Sequence, residues 1–130
     1  RQLLHAALRL RPDRLVVGEV RGHEAFDMVQ ALNTGHDGSL STVHANSPQD
    51  ALRRIASLAA LGAPGQSRES LDDQVRSSID VVVQLTRRTD GTRCVSSIEQ
   101  VRPPGEPGAP TTVLATASDV VADPTRRRRP

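Results

Sequence analysis

Helical and strand patterns alternate along the first half of the chain, and this order constrains the fold more than any other feature. Apolar residues at helical spacing, or in short continuous runs, predict a helix, a strand, a helix, a strand and a helix in turn. The segments are residues 2–10, 14–17, 22–35, 39–45 and 46–62. Such an alternation predicts an α/β fold in which helices cover a mostly parallel sheet and the first strand is buried.

Residues with strong positional preferences mark the ends of these helices. Pro12 stops the first helix, because the residue before a proline is pushed out of the α region. Gly35 is suited to the C-cap of the second helix. Ser47 as N-cap and Pro48 at the first helical position predict the start of the third helix, and Gly62 predicts its end.

The pattern then changes to one helix and a pair of strands. "RESLDDQVRSSID", residues 68–80, predicts a further helix. Residues 81–101 predict two strands that turn at Asp90-Gly91, a dipeptide that tolerates positive φ in a hairpin. We therefore expect one domain over residues 1–101.

Residues 102–130 have a different composition. The stretch "PPGEPGAP" is rich in proline and glycine, and Arg126 to Arg129 stand next to the end of the chain. This composition predicts a mobile tail with a weak strand near Thr112 to Ala115. The four arginines offer a contact for nucleic acid or anionic lipid, but such a run is more often a solvated tail.

The composition excludes several kinds of site. All 17 basic residues are arginine, so the chain contains no phosphate-binding loop of the Walker A pattern GxxxxGK[ST]. Apart from the last arginines the charge is nearly balanced, which argues against a nucleic-acid reader with a basic face. Cys94 is the single cysteine, which excludes an internal disulfide and fits an intracellular location. No apolar run approaches the roughly 18 residues that span a bilayer.

Two candidate catalytic side chains follow the two predicted strands. Glu19 lies just past the first strand and His44 lies at the end of the second. Because the carboxyl ends of parallel strands meet at one edge of a sheet, we expect both side chains at that edge. A carboxylate there holds Mg²⁺ through water or orients the water that attacks a nucleotide phosphate, and Gly18 leaves space beside the phosphates. In the alternative interpretation, Glu19 pairs with Arg21 or caps the next helix.

The histidines allow more than one interpretation. His44 can donate a hydrogen bond to a terminal phosphate, or it can be a structural hydrogen-bonding residue. His36 and Asp37 could form a metal site with His44, although three ligands scattered across a turn are weak support for one. The residues alone leave these alternatives open.

Two stretches together resemble a known family. They are "LRLRPDRLVVGEVRG" and "ALNTGHDGSLSTVHANSPQDALRRI". They resemble the type II/IV secretion-system ATPases, and most closely the branch that drives tight-adherence (Flp-type) pilus assembly. The resemblance covers residues 1 to about 101. It departs from the family signature at Gly22, where an acidic residue is usual.

The resemblance implies a fold and a nucleotide site. The chain resembles the C-terminal part of a RecA-like P-loop NTPase core, followed by a helix and a β-hairpin. "LVVGE" is similar to the Walker B segment, which implies that Glu19 is the catalytic carboxylate near Mg²⁺ and the attacking water. "TGHDGSLSTVHAN" is similar to the family's histidine box, which implies that His44 approaches the phosphates of ATP and that His36 supports the loop.

The resemblance also suggests roles for three arginines. Arg21 is expected to tie the Walker B turn to neighbouring elements. Arg1 and Arg9 are expected to contact phosphates or to couple subunits. The Walker A loop of the family precedes these motifs, so we expect this chain alone to hydrolyse no ATP.

At the level of the machine, the resemblance implies a homohexameric ATPase with ATP and Mg²⁺ as cofactors. Its expected place is the cytoplasmic face of the inner membrane, where it binds an inner-membrane platform protein, and no nucleic acid is expected as a partner. The expected function is to power pilus assembly or type II/IV secretion. Two alternatives remain open, namely a conjugation-type secretion ATPase and a truncated, non-catalytic docking module.

Overall fold

The computed structural model describes residues 2–120 and 122, which form four helices and five strands. The helices are α1 (Gln2–Arg9), α2 (Glu24–Asn33), α3 (Pro48–Gly62) and α4 (Arg68–Ser78). The strands are β1 (Val16–Val17), β2 (Leu40–Ser41), β3 (Val81–Arg87), β4 (Arg93–Val101) and β5 (Thr111–Thr116). Among the described residues, no helix is both long and apolar enough to cross a membrane.

The parallel sheet is much smaller than the sequence predicts. Strands β1 and β2 pair in parallel, with Val16 opposite Leu40, and each has two residues. The α/β fold is confirmed, but the other three strands are antiparallel. The prediction of a buried first strand is wrong for Val16, which is 77% exposed. Its partner Leu40 in β2 is 68% exposed. Apolar character alone does not bury a strand, because burial needs an element packed on its face.

The core lies among α2, α3 and α4. Met28 and Val29 of α2 and Leu71 and Val75 of α4 are almost completely buried. Three alanines, Ala25, Ala56 and Ala59, are fully buried as well. Their small side chains let α2 and α3 approach closely. This packing supports the loop that leads from β1 to α2 and the loop that leads from β2 to α3.

Local signals place both ends of α3 correctly. The Ser47 hydroxyl accepts a hydrogen bond from the Asp50 N–H at 3.1 Å, and Pro48 is the first residue of α3, which ends at Gly62. These predictions are confirmed, because each residue acts within one turn. The C-cap residue of α2 is Thr34 and not the predicted Gly35, which follows it with a φ of +99°.

The antiparallel sheet has the order β3, β4, β5. The predicted turn at Asp90-Gly91 is confirmed: the Asp90 carboxylate accepts the Thr92 N–H at 2.8 Å, and Gly91 has a φ of +86°. Strand β5 extends the strand expected near Thr112 to Ala115 and pairs with β4. Residues 111–116 of the predicted tail thus form a paired strand that is longer than the weak strand its composition predicts.

The reason for this difference lies in contacts that composition does not reveal. The Thr111 hydroxyl donates to the Glu99 carboxylate of β4 at 2.6 Å, and Leu114 is buried. The proline- and glycine-rich residues 103–110 connect two paired strands. Arg126 to Arg129, at the end of the predicted tail, lie outside the described residues.

Candidate active site

Glu19 lies between an arginine and a histidine side chain from two different loops. Its Oε2 atom is 2.7 Å from Nη2 of Arg21, which follows β1 on the same loop. Its Oε1 atom is 3.1 Å from Nε2 of His44, which follows β2. The Glu19 side chain is 26% exposed, whereas those of Arg21 and His44 are 75% and 81% exposed. The structure thus brings Glu19 and His44 together at one edge, as the strand order predicts.

The surroundings of Glu19 lower the pKa of its carboxyl group. The hydrogen bond from Arg21 is the main cause that lowers the pKa of Glu19, and the charges of Arg21, His44 and Arg54 act in the same direction. The same contact raises the pKa of Arg21. An ionised carboxylate can accept a proton from water, which is the chemistry required of a general base.

The pairing of Glu19 with Arg21 was the alternative interpretation of the sequence, and the structure contains that pair. The pair does not exclude a catalytic role for Glu19, because the Arg21 side chain is exposed and can bind a phosphate instead of Glu19. Helix α2 has His23 as its N-cap residue, so Glu19 does not cap it.

Backbone contacts join the two loops that carry the site. The Val20 N–H donates to the Thr42 carbonyl at 2.9 Å, and the Thr42 hydroxyl donates to the Gly18 carbonyl. These bonds continue the parallel pairing of β1 and β2 beyond the strands. A Cβ at Gly18 would meet no atom within 4 Å, so the space beside this glycine is open. This space agrees with the predicted position of Gly18 beside the phosphates, and the role of Gly18 stays a prediction.

The His36 side chain contacts the end of α2, in the turn before β2, and in the described part of the chain it makes no ion pair with the Glu19 carboxylate. Its Nδ1 atom lies 3.0 Å from the Ala31 carbonyl at the end of α2. The Ser39 hydroxyl donates to the His36 carbonyl at 2.6 Å and accepts the Leu15 N–H at 2.8 Å. Through Ser39, this turn is fixed to β1.

The described residues do not form the alternative metal site. In the segments 2–120 and 122, no three histidine, cysteine, aspartate or glutamate side chains lie close enough to hold a metal ion. The interpretation of His36, Asp37 and His44 as three metal ligands is therefore wrong. Magnesium beside a nucleotide needs a different donor set, since one or two carboxylates together with phosphate oxygens are enough. Glu19, as a partly exposed carboxylate beside open space, fits that donor set.

The remaining predicted residues lie elsewhere. Arg9 is the exposed last residue of α1, and the structure gives no contact between it and Glu19. Arg1 lies outside the described residues. The roles suggested for both arginines stay predictions.

Two residues near the site were not identified from the sequence. Arg54 of α3 belongs to the positive surroundings of Glu19. Glu24, the first residue of α2, accepts the N–H groups of Arg21 and Gly22 through Oε1 at 2.8 and 2.9 Å. A glutamate three residues after Arg21, at the start of a helix, was the available signal, because such residues often bind free N–H groups there.

Comparison with known proteins identifies the family. The family described as "Type II/IV secretion system protein" matches residues 1–123. A putative conjugal transfer protein of Mycobacterium tuberculosis is 46% identical over 102 residues, which are 78% of this chain and 28% of that protein. Protein VirB11 of Agrobacterium fabrum is 37% identical over 90 residues, 68% of this chain and 26% of that protein.

A solved structure agrees with this assignment. The VirB11 ATPase from the Brucella suis type IV secretion system, in complex with sulphate, matches with a TM-score of 0.71 and 31% identity. The match covers 76% of this chain and 31% of the VirB11 chain, so the present chain spans less than a third of the length of these relatives. Their names refer to conjugal transfer and type IV secretion, and the finer resemblance to the pilus-assembly branch is not supported. The chain belongs to the type II/IV secretion system protein family.

Proposed function

We propose that this chain carries the hydrolytic carboxylate of an ATPase that powers a conjugation-type, type IV secretion machine. The observation that supports the proposal is the position of Glu19, ionised and held between Arg21 and His44 where two parallel strands end. Similarity to conjugal transfer proteins and to VirB11 favours this machine over pilus assembly.

In the proposed reaction, Glu19 orients the attacking water and accepts its proton. The carboxylate is ionised at neutral pH, but the hydrogen bond from Arg21 that lowers its pKa also makes it a weaker base, so the step requires Arg21 to turn away. The exposed side chains of Arg21 and His44 are both hydrogen-bond donors, and both can turn from the carboxylate to a phosphate oxygen. Magnesium, when bound with ATP, would neutralise charge on the phosphates, with Glu19 holding it through water.

The phosphate-cradling part of the site must come from other residues of the full-length protein. Since this chain has no lysine, it supplies no Walker A loop, and we expect the chain alone not to turn over ATP. We further propose that the full-length protein acts as a homohexamer. Its proposed location is the cytoplasmic face of the inner membrane, on a platform protein of the secretion machine, without nucleic acid as a direct partner.

A substitution at Glu19 tests the proposed chemistry. In the full-length protein, Glu19→Gln should reduce Mg²⁺-dependent ATP hydrolysis by about 100-fold or more, because the amide cannot accept the proton. ATP binding should stay within about threefold of wild type, since the change keeps the shape of the side chain. The control is Glu69→Gln on α4, which should hydrolyse ATP as wild type does. Wild-type turnover in Glu19→Gln would contradict the proposal.

Genomic context separates the candidate machines. A relaxase encoded beside this protein would support the conjugation-type machine, whereas a prepilin and a prepilin peptidase would support pilus assembly. The docking-module alternative has its own test, the intact mass of the native polypeptide. A native chain without a glycine-rich loop that ends in lysine and serine or threonine would favour that module.

A further inference from the structure

We propose that Glu24 is a positioning residue for the hydrolytic site and that it acts through Arg21. The inference rests on the proposed function of Glu19. Glu24 contacts neither Glu19 nor His44 in the structure, so its effect must pass through the turn between β1 and α2.

The carboxylate of Glu24 fixes this turn. One of its oxygens, Oε1, accepts two consecutive backbone N–H groups, from Arg21 at 2.8 Å and from Gly22 at 2.9 Å. A carboxylate that accepts two N–H groups makes charge-assisted bonds, which are stronger and more directional than neutral ones. The peptide units on both sides of the Arg21 Cα are therefore held in one orientation.

The fixed turn determines where the Arg21 side chain starts. From that backbone, the guanidinium reaches Oε2 of Glu19 at 2.7 Å. Arg21 is 75% exposed, so packing does little to select its rotamer. The backbone direction set by Glu24 is consequently the main restraint that the structure provides for the Arg21–Glu19 contact.

Glu24 is the first residue of a helix that is packed into the core. The next residue, Ala25, is fully buried, and Met28 and Val29 of the same helix are in the core. The contacts thus form a path from the core through α2 and Glu24 to the turn, and then through Arg21 to Glu19.

Gly22 leaves the room that this arrangement needs. A Cβ at position 22 would lie 3.0 Å from Oε2 of Glu24, closer than ordinary van der Waals contact. A side chain here would press on the carboxylate, and an acidic one would also repel it.

The experiment uses the full-length protein and compares Glu24→Ala, Glu24→Gln and the control Glu69→Ala. Glu69 is the matched residue, because it is an exposed glutamate in the first turn of α4. Glu24→Ala should lower kcat about tenfold and leave KM for ATP within about twofold, since misplacement of Arg21 affects the reacting groups more than binding. Glu24→Gln keeps an oxygen acceptor and should restore most of the rate, while Glu69→Ala should match wild type.

The split between kcat and KM gives a readout that a purely structural role would not produce. A general loss of structure would weaken ATP binding together with the rate, and Glu24→Gln would not reverse it. A loss confined to kcat that Glu24→Gln largely restores is the result expected of a positioning residue.

A double substitution tests whether the effect passes through Arg21. In an Arg21→Gln background, adding Glu24→Ala should change kcat less than about twofold, because the contact it controls is already lost. An equal loss of rate in both backgrounds would overturn the inference, as would wild-type kcat in Glu24→Ala. If Glu24→Ala does not fold, Glu24→Asp replaces it, since its shorter side chain keeps the charge but withdraws from the turn. Turnover that survives Glu19→Gln would overturn the proposed function instead, whatever the Glu24 variants do.

Discussion

Gly62 lies where the end of α3 approaches the start of α2, and Gly62→Ala should destabilise the fold. A Cβ at this position would lie 2.5 Å from the carbonyl oxygen of His23 and 3.0 Å from Cβ of Phe26. Ordinary van der Waals contact begins at about 3.4 Å, so the backbone oxygen and α3 must separate by about 0.9 Å. The clash involves backbone, which cannot turn away as a side chain can.

Two opposing effects set the size of the loss. Overpacking of this kind destabilises a protein by about 1–3 kcal/mol. Alanine is a better helix former than glycine by about 1 kcal/mol in a helix interior, and by less at the last residue of a helix. We therefore expect the free energy of unfolding to fall by about 1–2 kcal/mol, with a Tm lower by about 4 °C per kcal/mol.

Urea and thermal denaturation of the 130-residue chain measure this difference. The control is Ala60→Gly, an exposed change in the last turn of the same helix, which reports the helix-propensity contribution without a clash. A Gly62→Ala chain as stable as wild type, or more stable, would refute the close approach of α3 to His23. Since His23 precedes Glu24, loss of stability should be accompanied by weaker protection of the Gly22 N–H from hydrogen exchange.

Two further predictions concern caps and acid stability. Ser47→Ala removes the acceptor for the Asp50 N–H and should lower the free energy of unfolding by about 1 kcal/mol in urea denaturation, whereas Ser77→Ala on α4 should change it by less than about 0.5 kcal/mol. Three carboxyl groups have lowered pKa values. The main cause is a hydrogen bond in each case: from the Arg21 backbone N–H for Glu24, from the Arg53 side chain for Asp50, and from the Thr92 side chain for Asp90. Their stabilisation is present above the pKa values of the unfolded chain and is lost as the pH falls through the folded values, so the urea midpoint should drop between about pH 5 and about pH 3. Glu24→Gln should make this drop smaller, and an identical drop would contradict the assignment.

The parts of the fold that local chemistry determines were predictable from the sequence. Ser47 and Pro48 start α3, and Gly91 turns the β3–β4 hairpin, because each acts within a few residues. The extent of a strand depends on what pairs with it and covers it. That information is absent from the apolar run of β1, and so Val16 was expected to be buried although it is exposed.

The two main side chains of the candidate site were predictable from the sequence, but two supporting residues were not. Glu19 and His44 were expected at one edge because strand order alone implies it, and their side chains meet at 3.1 Å. Glu24 and Arg54 were missed for different reasons. Glu24 stands in the first turn of a helix, where glutamates often accept free N–H groups, but this signal does not show that the turn leads to Glu19. Arg54 contributes to the field of Glu19 from α3, a helix that is distant from Glu19 along the chain.

The exposure of the site shows why backbone contacts must define its geometry. Exposed ion pairs contribute little to stability because solvent screens them, so the contacts of Glu19 with Arg21 and His44 cannot hold the two loops in place. The bonds that do hold them involve backbone groups: Val20 to Thr42, and Glu24 to the turn at Arg21. Because the backbone is fixed and the side chains of Arg21 and His44 are weakly held, either side chain can leave Glu19 and bind a phosphate without disturbing the fold. The Glu19 carboxylate is then free to act on water while Arg21 and His44 contact the nucleotide.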